Sequence, residues 1–459
     1  MYFCCRKIKT VVGIAFIMMK KVLLLVFLMP TFLYAGEVTR VLNRHITSLR
    51  VQYLSEALSD TKHDPVRPFL TLTGDLIDGS EPENTLEISF DELSHDIMQY
   101  AYTVHHLTAD FVRDDLSTFD YVRGFTRSDI TNYSTSLNTA VNYTHYSFTF
   151  PNEDMQLLIS GNYMLTIYDV SVGEEQPVAT VVFSVVEPLV KPQASVTPNT
   201  TVEISGRYQQ VDIDLPTDAL HVVSPTDVRL LIRQNGRLDN QVYAPYPTYI
   251  EANRLRWKDH SKLVFEGGNE YRHLDIWSTY FAGNNVDRIA YDRNDYHAFL
   301  YADPVRGTWS EHADRCGVPY MHEYDHNGTC IINAERCNDI DTEAEYMYVH
   351  WTLPMTQPVL DGVIYIGGDV FHNQTVPSLN RMLYDNDNRC YYFNALLKQG
   401  GYDYQYWLKR KGEPSATLLQ TEGSHWQTEN VYTIYVYFRS VSDRYDRLIG
   451  LTDVSSTSR

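Results

Sequence analysis

The sequence predicts an all-β protein made of three immunoglobulin-like β-sandwich domains in series. In residues 432–438, Thr433, Tyr435 and Tyr437 alternate with four other strand-favouring residues, which is the period of two expected for a β-strand. No long segment shows the apolar spacing of 3.6 residues that marks an amphipathic helix. Two irregular segments also divide the chain into blocks near the size of an immunoglobulin-like sandwich, which has roughly 100 residues.

Strand-like segments recur along the chain and are rich in Val, Ile, Tyr, Phe and Thr, which suit a half-buried pleated surface. They cover residues 85–90, 146–150, 178–186, 227–233, 346–353, 363–366 and 402–408. Asn235-Gly236 follows one of these segments and predicts a hairpin turn, because both positions tolerate positive φ. Helices are expected only as short stretches, such as residues 91–95.

The domain boundaries are predicted from the two irregular segments. The proline-containing segment 187–192 separates a first domain, residues 36–190, from a second domain, residues 191–305. In residues 306–340, Gly, Pro, Asn, His and Cys displace the strand pattern, which predicts a Cys/His-rich loop or insertion. The third domain is expected to cover residues 341–459.

The N-terminus has the order of a secretory signal peptide. Lys20-Lys21 precedes an apolar run at residues 22–29, and the expected cleavage segment Leu33-Tyr34-Ala35, which ends in a small residue, follows. We therefore expect residues 1–35 to be a signal peptide, with the true start at Met18 or Met19. No later segment reaches the ~18 apolar residues of a membrane-spanning helix, which favours a soluble exported protein.

The charge balance excludes nucleic-acid binding. Asp and Glu number 58 against 38 Lys and Arg, and the formal net charge is −20. An acidic surface repels phosphate backbones, and no stripe of basic residues offsets it. The 44% hydrophobic content also excludes a disordered chain.

Four cysteines remain after the predicted signal peptide: Cys316, Cys330, Cys337 and Cys390. In an oxidising compartment an even number predicts up to two disulfides, and three pairings are possible. Their spacing lacks the paired C-x2-C motifs of structural zinc sites. A surface loop held by disulfides is therefore the expected role of the Cys/His-rich segment.

His322, Glu323 and His326 form a literal H-E-x-x-H sequence. On a helix, the two histidines would bind zinc and the glutamate would act as general base, as in a zinc metalloprotease. Gly and Pro lie just before it and Asn-Gly directly after it, which leaves little room for a helix. No spacing selects a third ligand, and His105-His106 fits a structural role. We therefore expect no catalytic residue, no metal site and no cofactor.

The last block resembles the early-set immunoglobulin-like modules that bind starch and glycogen. The resemblance lies in residues 363–369, 391–393 and 402–407, where aromatic residues are frequent. It implies exposed rings that stack on sugars, and hence an exported carbohydrate-binding surface protein as an alternative function. Residues 370–373 replace the usual Asn-Trp, and packing of the aromatic residues in a sandwich core is the competing interpretation.

A second resemblance extends over nearly the whole chain after residue 35, and it rests on many short segments in one order. They are residues 86–96, 104–111, 143–146, 150–153, 160–163, 233–235, 239–240, 265–272, 341–344, 397–400, 422–423, 428–430 and 444–450. Together they resemble the plug protein of the type IX secretion system of Bacteroidetes. Phe111 stands where the family pattern has Trp, and residues 311–338 look like an insertion.

This resemblance implies a non-enzymatic periplasmic protein at the inner face of the outer membrane. It would plug the periplasmic opening of the giant translocon β-barrel when no substrate is exported. The implied partner is that barrel, through which the protein is peripheral to the membrane. Neither a small-molecule substrate nor a nucleic acid is expected.

Overall fold

A computed structural model describes residues 36–57, 69–94, 96–220, 222–307, 320 and 325–457. The predicted signal peptide lies outside these residues, as do His322 and Glu323 of the H-E-x-x-H sequence and Cys316. Among the residues described, no helix is both long and apolar enough to cross a membrane.

β-strands dominate the described residues, which confirms the predicted all-β fold class. The helices are short: α1 (Leu54–Ala57), α2 (Thr118–Tyr121), α3 (Ile340–Glu343), and single 3-10 turns at Pro82–Asn84, Pro225–Asp227, Ser261–Leu263 and Asp369–Phe371. The strands are β1 (Arg40–Val41), β2 (Ile46–Tyr53), β3 (Phe69–Thr71), β4 (Leu86–Glu92), β5 (Tyr100–Leu107), β6 (Val122–Gly124), β7 (Arg127–Ile130), β8 (Asn132–Thr135), β9 (Thr144–Phe150), β10 (Met155–Leu157), β11 (Gly161–Asp169), β12 (Pro177–Val186), β13 (Gln193–Thr197), β14 (Tyr208–Pro216), β15 (Val228–Gln234), β16 (Val242–Tyr243), β17 (Tyr249–Glu251), β18 (Arg254–Trp257), β19 (Val264–Glu266), β20 (Arg272–Asp275), β21 (Val286–Asp292), β22 (Asp295–Leu300), β23 (Cys330–Ile332), β24 (Tyr346–Pro354), β25 (Gly362–Gly367), β26 (Leu383–Asp385), β27 (Cys390–Lys398), β28 (Gly400–Arg410), β29 (Val431–Phe438) and β30 (Arg447–Ser455).

The first sandwich consists of two sheets from the N-terminal part of the chain. One sheet has the order β1-β12-β11-β5-β7, with β3 parallel to β12, and the other has the order β2-β4-β9-β8. Aromatic side chains such as Phe90, Tyr146, Tyr163 and Phe183 fill the core between them. Strand β11 is buried on both faces. Its other face carries Met164, which packs in a second apolar cluster outside this core.

The second sandwich combines strands from two distant parts of the chain. Its first sheet has the order β13-β14-β18-β17, with β19 added to β14, and its second sheet has the order β16-β15-β29-β30. Trp257, Leu230 and Ile434 lie in the core that the two sheets enclose. At the predicted hairpin turn after β15, Asn235 and Gly236 have φ of 48° and 71°, and the Arg237 N–H donates to the Gln234 carbonyl at 2.9 Å. This is the backbone that an Asn-Gly turn adopts.

In the sequence, the strands of the third sandwich lie between the two chain segments that form the second sandwich. One sheet has the order β21-β22-β24-β27-β26, and the other has the order β20-β28-β23, with β25 also paired to β28. Trp351, Tyr404 and Tyr406 are buried in its core. In β24 the buried residues Met347, Val349 and Trp351 alternate with more exposed neighbours, as expected for a sheet with one face on the core.

The strand pairing differs from the predicted boundaries of the second and third domains. Strands β20–β22 lie before residue 305 but belong to the third sandwich, and β29 and β30 lie after residue 341 but belong to the second. Within the predicted loop 306–340, β23 adds to β28. Pairing between β15 and β29 joins residues about 200 positions apart, and local sequence patterns carry no signal for such a contact.

The helix expected at residues 91–95 is wrong at its start, since Asp91 and Glu92 end β4.

Candidate functional site

The described end of the H-E-x-x-H sequence is a turn and not a helix. His326 precedes Asn327 and Gly328, whose φ values are 51° and 88°. The His326 and Gly328 N–H groups both donate to Oδ2 of Asp403, at 2.6 and 3.3 Å. Two successive residues with positive φ cannot continue an α-helix, so His326 is not presented as it would be in a helical zinc protease.

His326 instead lies beside two residues from other parts of the sequence, His273 on β20 and Asp403 on β28. One nitrogen of each histidine and an oxygen of Asp403 all lie within 4.8 Å of one another. Both nitrogens of His273 donate to carboxylates, Nδ1 to Asp403 Oδ1 at 2.7 Å and Nε2 to Asp275 Oδ1 at 2.8 Å. Burial alone would lower the pKa of His273, but these two carboxylates raise it from 6.5 to about 9.

The predicted disulfides are not formed among the cysteines that the structure describes. Cys330, Cys337 and Cys390 are all free thiols. Burial is the main reason that the pKa of each of these thiols is raised above its ordinary value. A thiol with a raised pKa is a poor nucleophile at neutral pH, so none of the three is suited to covalent catalysis.

The aromatic residues that suggested sugar binding lie mostly inside the third sandwich. Tyr402, Tyr404, Tyr406 and Trp407 are at most 3% exposed. Tyr392 is the more exposed exception, at 39%. These rings therefore pack in the core, as the competing interpretation holds, and do not form a binding platform.

A different part of the third sandwich has a shallow groove with stacked rings. His297 stacks on Tyr348 with centroids 5.3 Å apart, and Phe299 stacks on His350 at 4.3 Å. The groove is also lined by polar groups, namely Asp292, Arg293, Asp295 and Asn394. Planar rings beside hydrogen-bonding groups are a common arrangement in sites for polar ligands.

His106 is buried and has a structural environment. Its Nδ1 forms a hydrogen bond with Asp114, and its Nε2 lies 3.2 Å from the Ser160 carbonyl. The ring fills the space where a side chain on Gly161 would lie, and Gly161 has φ of 141°. His105 is more exposed and pairs with Glu174 at 2.8 Å.

The first and third sandwiches are joined by buried charged groups, which we call the first–third joint. Asp91 accepts from Lys398 Nζ at 2.7 Å, from the Tyr346 hydroxyl at 2.7 Å and from His145 Nδ1 at 2.6 Å. Lys398 also donates to the Asp341 carbonyl at 2.8 Å. Burial alone would raise the pKa of Asp91, but Lys398 and His145 hold it below its ordinary value. Asp91 is therefore a carboxylate at neutral pH, and it binds groups from both sandwiches.

The first and second sandwiches are joined mainly by apolar contacts, which we call the first–second joint. Phe111, 3% exposed, lies in a cluster with Leu231, Tyr435 and other residues of the second sandwich. The guanidinium of Arg233 lies 4.6 Å from the centre of the Phe111 ring. The Ala109 N–H donates to an Asp446 oxygen at 2.8 Å. Phe111, at the position where the resemblance implies Trp, thus provides the aromatic ring at the centre of this joint.

The second and third sandwiches meet at the turn after β15, which we call the second–third joint. Arg237 is 3% exposed and pairs with Asp239 at 2.9 Å. It also donates to the Ala416 carbonyl at 3.0 Å and lies 4.3 Å from the centre of the Trp407 ring. Each pair of sandwiches is therefore held by buried contacts, and all three sandwiches belong to the compact unit Val38–Arg459.

Most of the segments that carry the sequence resemblance contribute to these joints. Asp91, His145, Asp341 and Lys398 come from four of them, and all four residues belong to the first–third joint. Ala109, Phe111, Arg233 and Asp446 come from three more, and they form the first–second joint. Seven of the segments therefore supply residues to the first–third and first–second joints. Sequence reasoning missed these sites, because each joint combines residues that are far apart in the chain.

Comparison with known proteins identifies the family. The profile of the type 9 secretion system plug protein 1st domain matches residues 75–187, which lie in the first sandwich. A crystal structure of a hypothetical protein from Parabacteroides merdae ATCC 43184 is similar to this chain with a TM-score of 0.83 and 33% sequence identity. The similarity covers 92% of this chain and 99% of that chain. A search of the curated proteins gives no match.

The profile match falls on the same part of the chain as five of the segments that carry the resemblance, from residues 86–96 to residues 160–163. The predicted family is thereby confirmed, and with it a role associated with type IX secretion. The chain belongs to the type 9 secretion system plug protein family.

Proposed function

We propose that this protein is a non-enzymatic periplasmic subunit that closes the periplasmic opening of the type IX translocon β-barrel in its resting state. A pore wide enough for folded cargo would leak solutes, so it needs a removable stopper. The proposal rests on membership of the plug family and on the predicted signal peptide at residues 1–35.

The observation that carries the proposal is the set of three joints. A stopper has to keep its shape when it is held against a large opening, and sandwiches connected only by flexible linkers would move relative to each other. The buried Lys398–Asp91 pair, and the contacts of Arg237 with the Ala416 carbonyl and the Trp407 ring, instead hold the sandwiches in one arrangement. Buried ion pairs of this kind require specific geometry, because a misplaced partner would leave a charge unpaired.

The surface chemistry is suited to reversible docking. The chain has a formal net charge of −20, so a complementary surface would attract it through interactions that salt weakens. A contact that must release should also be of modest area and partly hydrated. The loops at the ends of the sandwiches are proposed to make this contact, because loops on a rigid β scaffold commonly carry binding residues.

A pull-down experiment tests the proposed partner. The full chain with a C-terminal affinity tag is recovered from detergent-solubilised envelopes of the native host, and its partners are identified by mass spectrometry. We expect a very large outer-membrane β-barrel as the dominant partner, released as the salt concentration rises. Absence of such a barrel, even after mild crosslinking, would contradict the proposal.

The groove on the third sandwich supports a second candidate function, binding of a carbohydrate. Tyr348, His297 and His350 provide stacked rings, and Asn394 lies 2.8 Å from His350. Retention on immobilised glycans tests this candidate, with Tyr348→Ala as the variant and Tyr249→Ala, an exposed tyrosine of the second sandwich, as the control. Retention that is lost only in Tyr348→Ala would support the carbohydrate function, and no retention of the parent chain would remove it.

A further inference from the structure

We propose that His273, His326 and Asp403 form a binding site for one zinc ion. The proposal does not depend on the proposed function. It goes against the expectation from sequence that the chain has no metal site. That expectation considered His326 only with possible ligands near it in the sequence, whereas the structure places His326 beside residues of β20 and β28.

The distances between the ligand atoms are close to those of a tetrahedral zinc site. Zinc binds imidazole nitrogen and carboxylate oxygen at about 2.0–2.2 Å, which separates two tetrahedral ligand atoms by roughly 3.3 Å. Asp403 Oδ1 lies 2.7 Å from His273 Nδ1 and 4.0 Å from His326 Nδ1. These distances lie on either side of the tetrahedral value, so small rotations of the three side chains bring all of them within reach of one ion.

The groups around the three ligands already orient them for a metal ion. The Nε2–H group of His273 donates to Asp275 Oδ1 at 2.8 Å. This hydrogen bond orients the ring so that Nδ1 points toward Asp403. Histidine ligands of zinc sites commonly have such a carboxylate on the opposite nitrogen. Oδ2 of Asp403 accepts from the His326 and Gly328 N–H groups, so Oδ1 is directed at the two rings.

The burial of the ligands fits a site that an ion can enter. Asp403 is 0% exposed, whereas the side chains of His273 and His326 are 22% and 39% exposed. An ion can therefore approach past the imidazole rings and reach a carboxylate that is shielded from water. Three protein ligands leave a fourth position for a water molecule, which is the ligand number of many open zinc sites.

A zinc ion at this position would replace the hydrogen bond that joins His273 Nδ1 to Asp403 Oδ1. It would connect the turn at Asn327-Gly328 with strands β20 and β28, which are already paired with each other. The role that follows is structural: the ion fastens the described end of the Cys/His-rich segment to the third sandwich.

Isothermal titration of the purified full chain with Zn²⁺, after removal of bound metal with a chelator, tests the proposal. We expect one zinc per chain, and binding at least tenfold weaker in His326→Gln and in His273→Gln. Asp275→Asn should weaken binding by roughly 10–100-fold, the usual effect of removing the carboxylate behind a histidine ligand. His326→Gln is the most informative variant, because its side chain is the most exposed of the three ligands.

Two control variants separate this site from other histidines. His322→Gln removes the other histidine of the H-E-x-x-H sequence, and His350→Gln removes a histidine of the groove. Both should bind zinc like the parent chain. Absence of zinc binding above the buffer background would overturn the proposal. Zinc binding that is unchanged in His273→Gln, or that is lost in either control, would equally overturn it, because the ion would then lie elsewhere.

Discussion

Lys398 and Asp91 form an ion pair at 2.7 Å, although 307 residues separate them in the sequence and each side chain is only 1% exposed. The pair joins the end of β27 in the third sandwich to β4 in the first. A buried ion pair is not a strong source of stability in itself, since both charges lose their hydration. Its consequence is specificity: only one arrangement of the two sandwiches satisfies both charges.

Lys398→Met should therefore destabilise the protein strongly. The variant keeps the length of the side chain but leaves the Asp91 carboxylate without its cationic partner. Removing one member of a buried pair costs ~3–5 kcal/mol in free energy of unfolding, which chemical denaturation measures. The matched control is Asp129→Asn, which breaks the exposed Arg127–Asp129 pair and should leave the free energy unchanged. Equal effects of the two substitutions would show that the joint has no special role.

The same pair predicts how stability depends on pH. Lys398 and His145 hold the pKa of Asp91 below its ordinary value of 3.8. The unfolded carboxylate therefore takes up a proton more readily than the folded one. The stability that the Asp91 carboxylate contributes is present above pH 3.8 and is lost as the pH falls through the folded pKa. Lys398→Met should raise that pKa and move acid unfolding, followed by circular dichroism, to higher pH. An unchanged acid midpoint would contradict the assignment.

Phe111→Ala should weaken the first–second joint. The ring is buried among apolar residues of both sandwiches and lies beneath the Arg233 guanidinium. Loss of a buried phenylalanine costs ~3–5 kcal/mol, and thermal denaturation would report it as a lower melting temperature. Phe119→Ala, which removes a ring that is 74% exposed, serves as the control and should have little effect. A melting temperature that is equally unaffected in both variants would argue against a packed joint at Phe111.

Gly161→Ala should destabilise the first sandwich, because the new methyl group would overlap the buried His106 ring. Gly161 also has φ of 141°, where a side chain is strained. Gly173→Ala separates the two causes, since Gly173 has φ of 100° but no atom within 4 Å of a new side chain. We expect a clearly larger drop in melting temperature for Gly161→Ala than for Gly173→Ala. Similar drops would mean that backbone strain alone explains both.

Local patterns in the sequence predicted the strands well. The alternating residues 432–438 lie in β29, and the Asn235-Gly236 turn has the expected positive φ values. These features depend on neighbouring residues only, so a single sequence carries them. The short helix expected at residues 91–95 is wrong at its start, where Asp91 and Glu92 end β4 and the Asp91 side chain binds Lys398.

The assembly of the sandwiches could not be read from the sequence. The second sandwich pairs β15 with β29, and the candidate zinc site combines His273, His326 and Asp403, which are spread over 130 residues. Such contacts depend on the folded topology, and the sequence near His273 does not indicate that His326 and Asp403 lie beside it. The joints likewise combine distant residues, such as Asp91 with Lys398 and Ala109 with Asp446.

The most direct test of the central claim is the permeability of the outer membrane in the native host. We would measure sensitivity to a large hydrophilic antibiotic in cells with the gene intact, deleted, and deleted together with the translocon barrel. The plug proposal predicts that deletion of this protein alone sensitises the cells, that the intact chain restores resistance, and that removal of the barrel abolishes the effect. Unchanged permeability after deletion, or a leak that persists without the barrel, would contradict it.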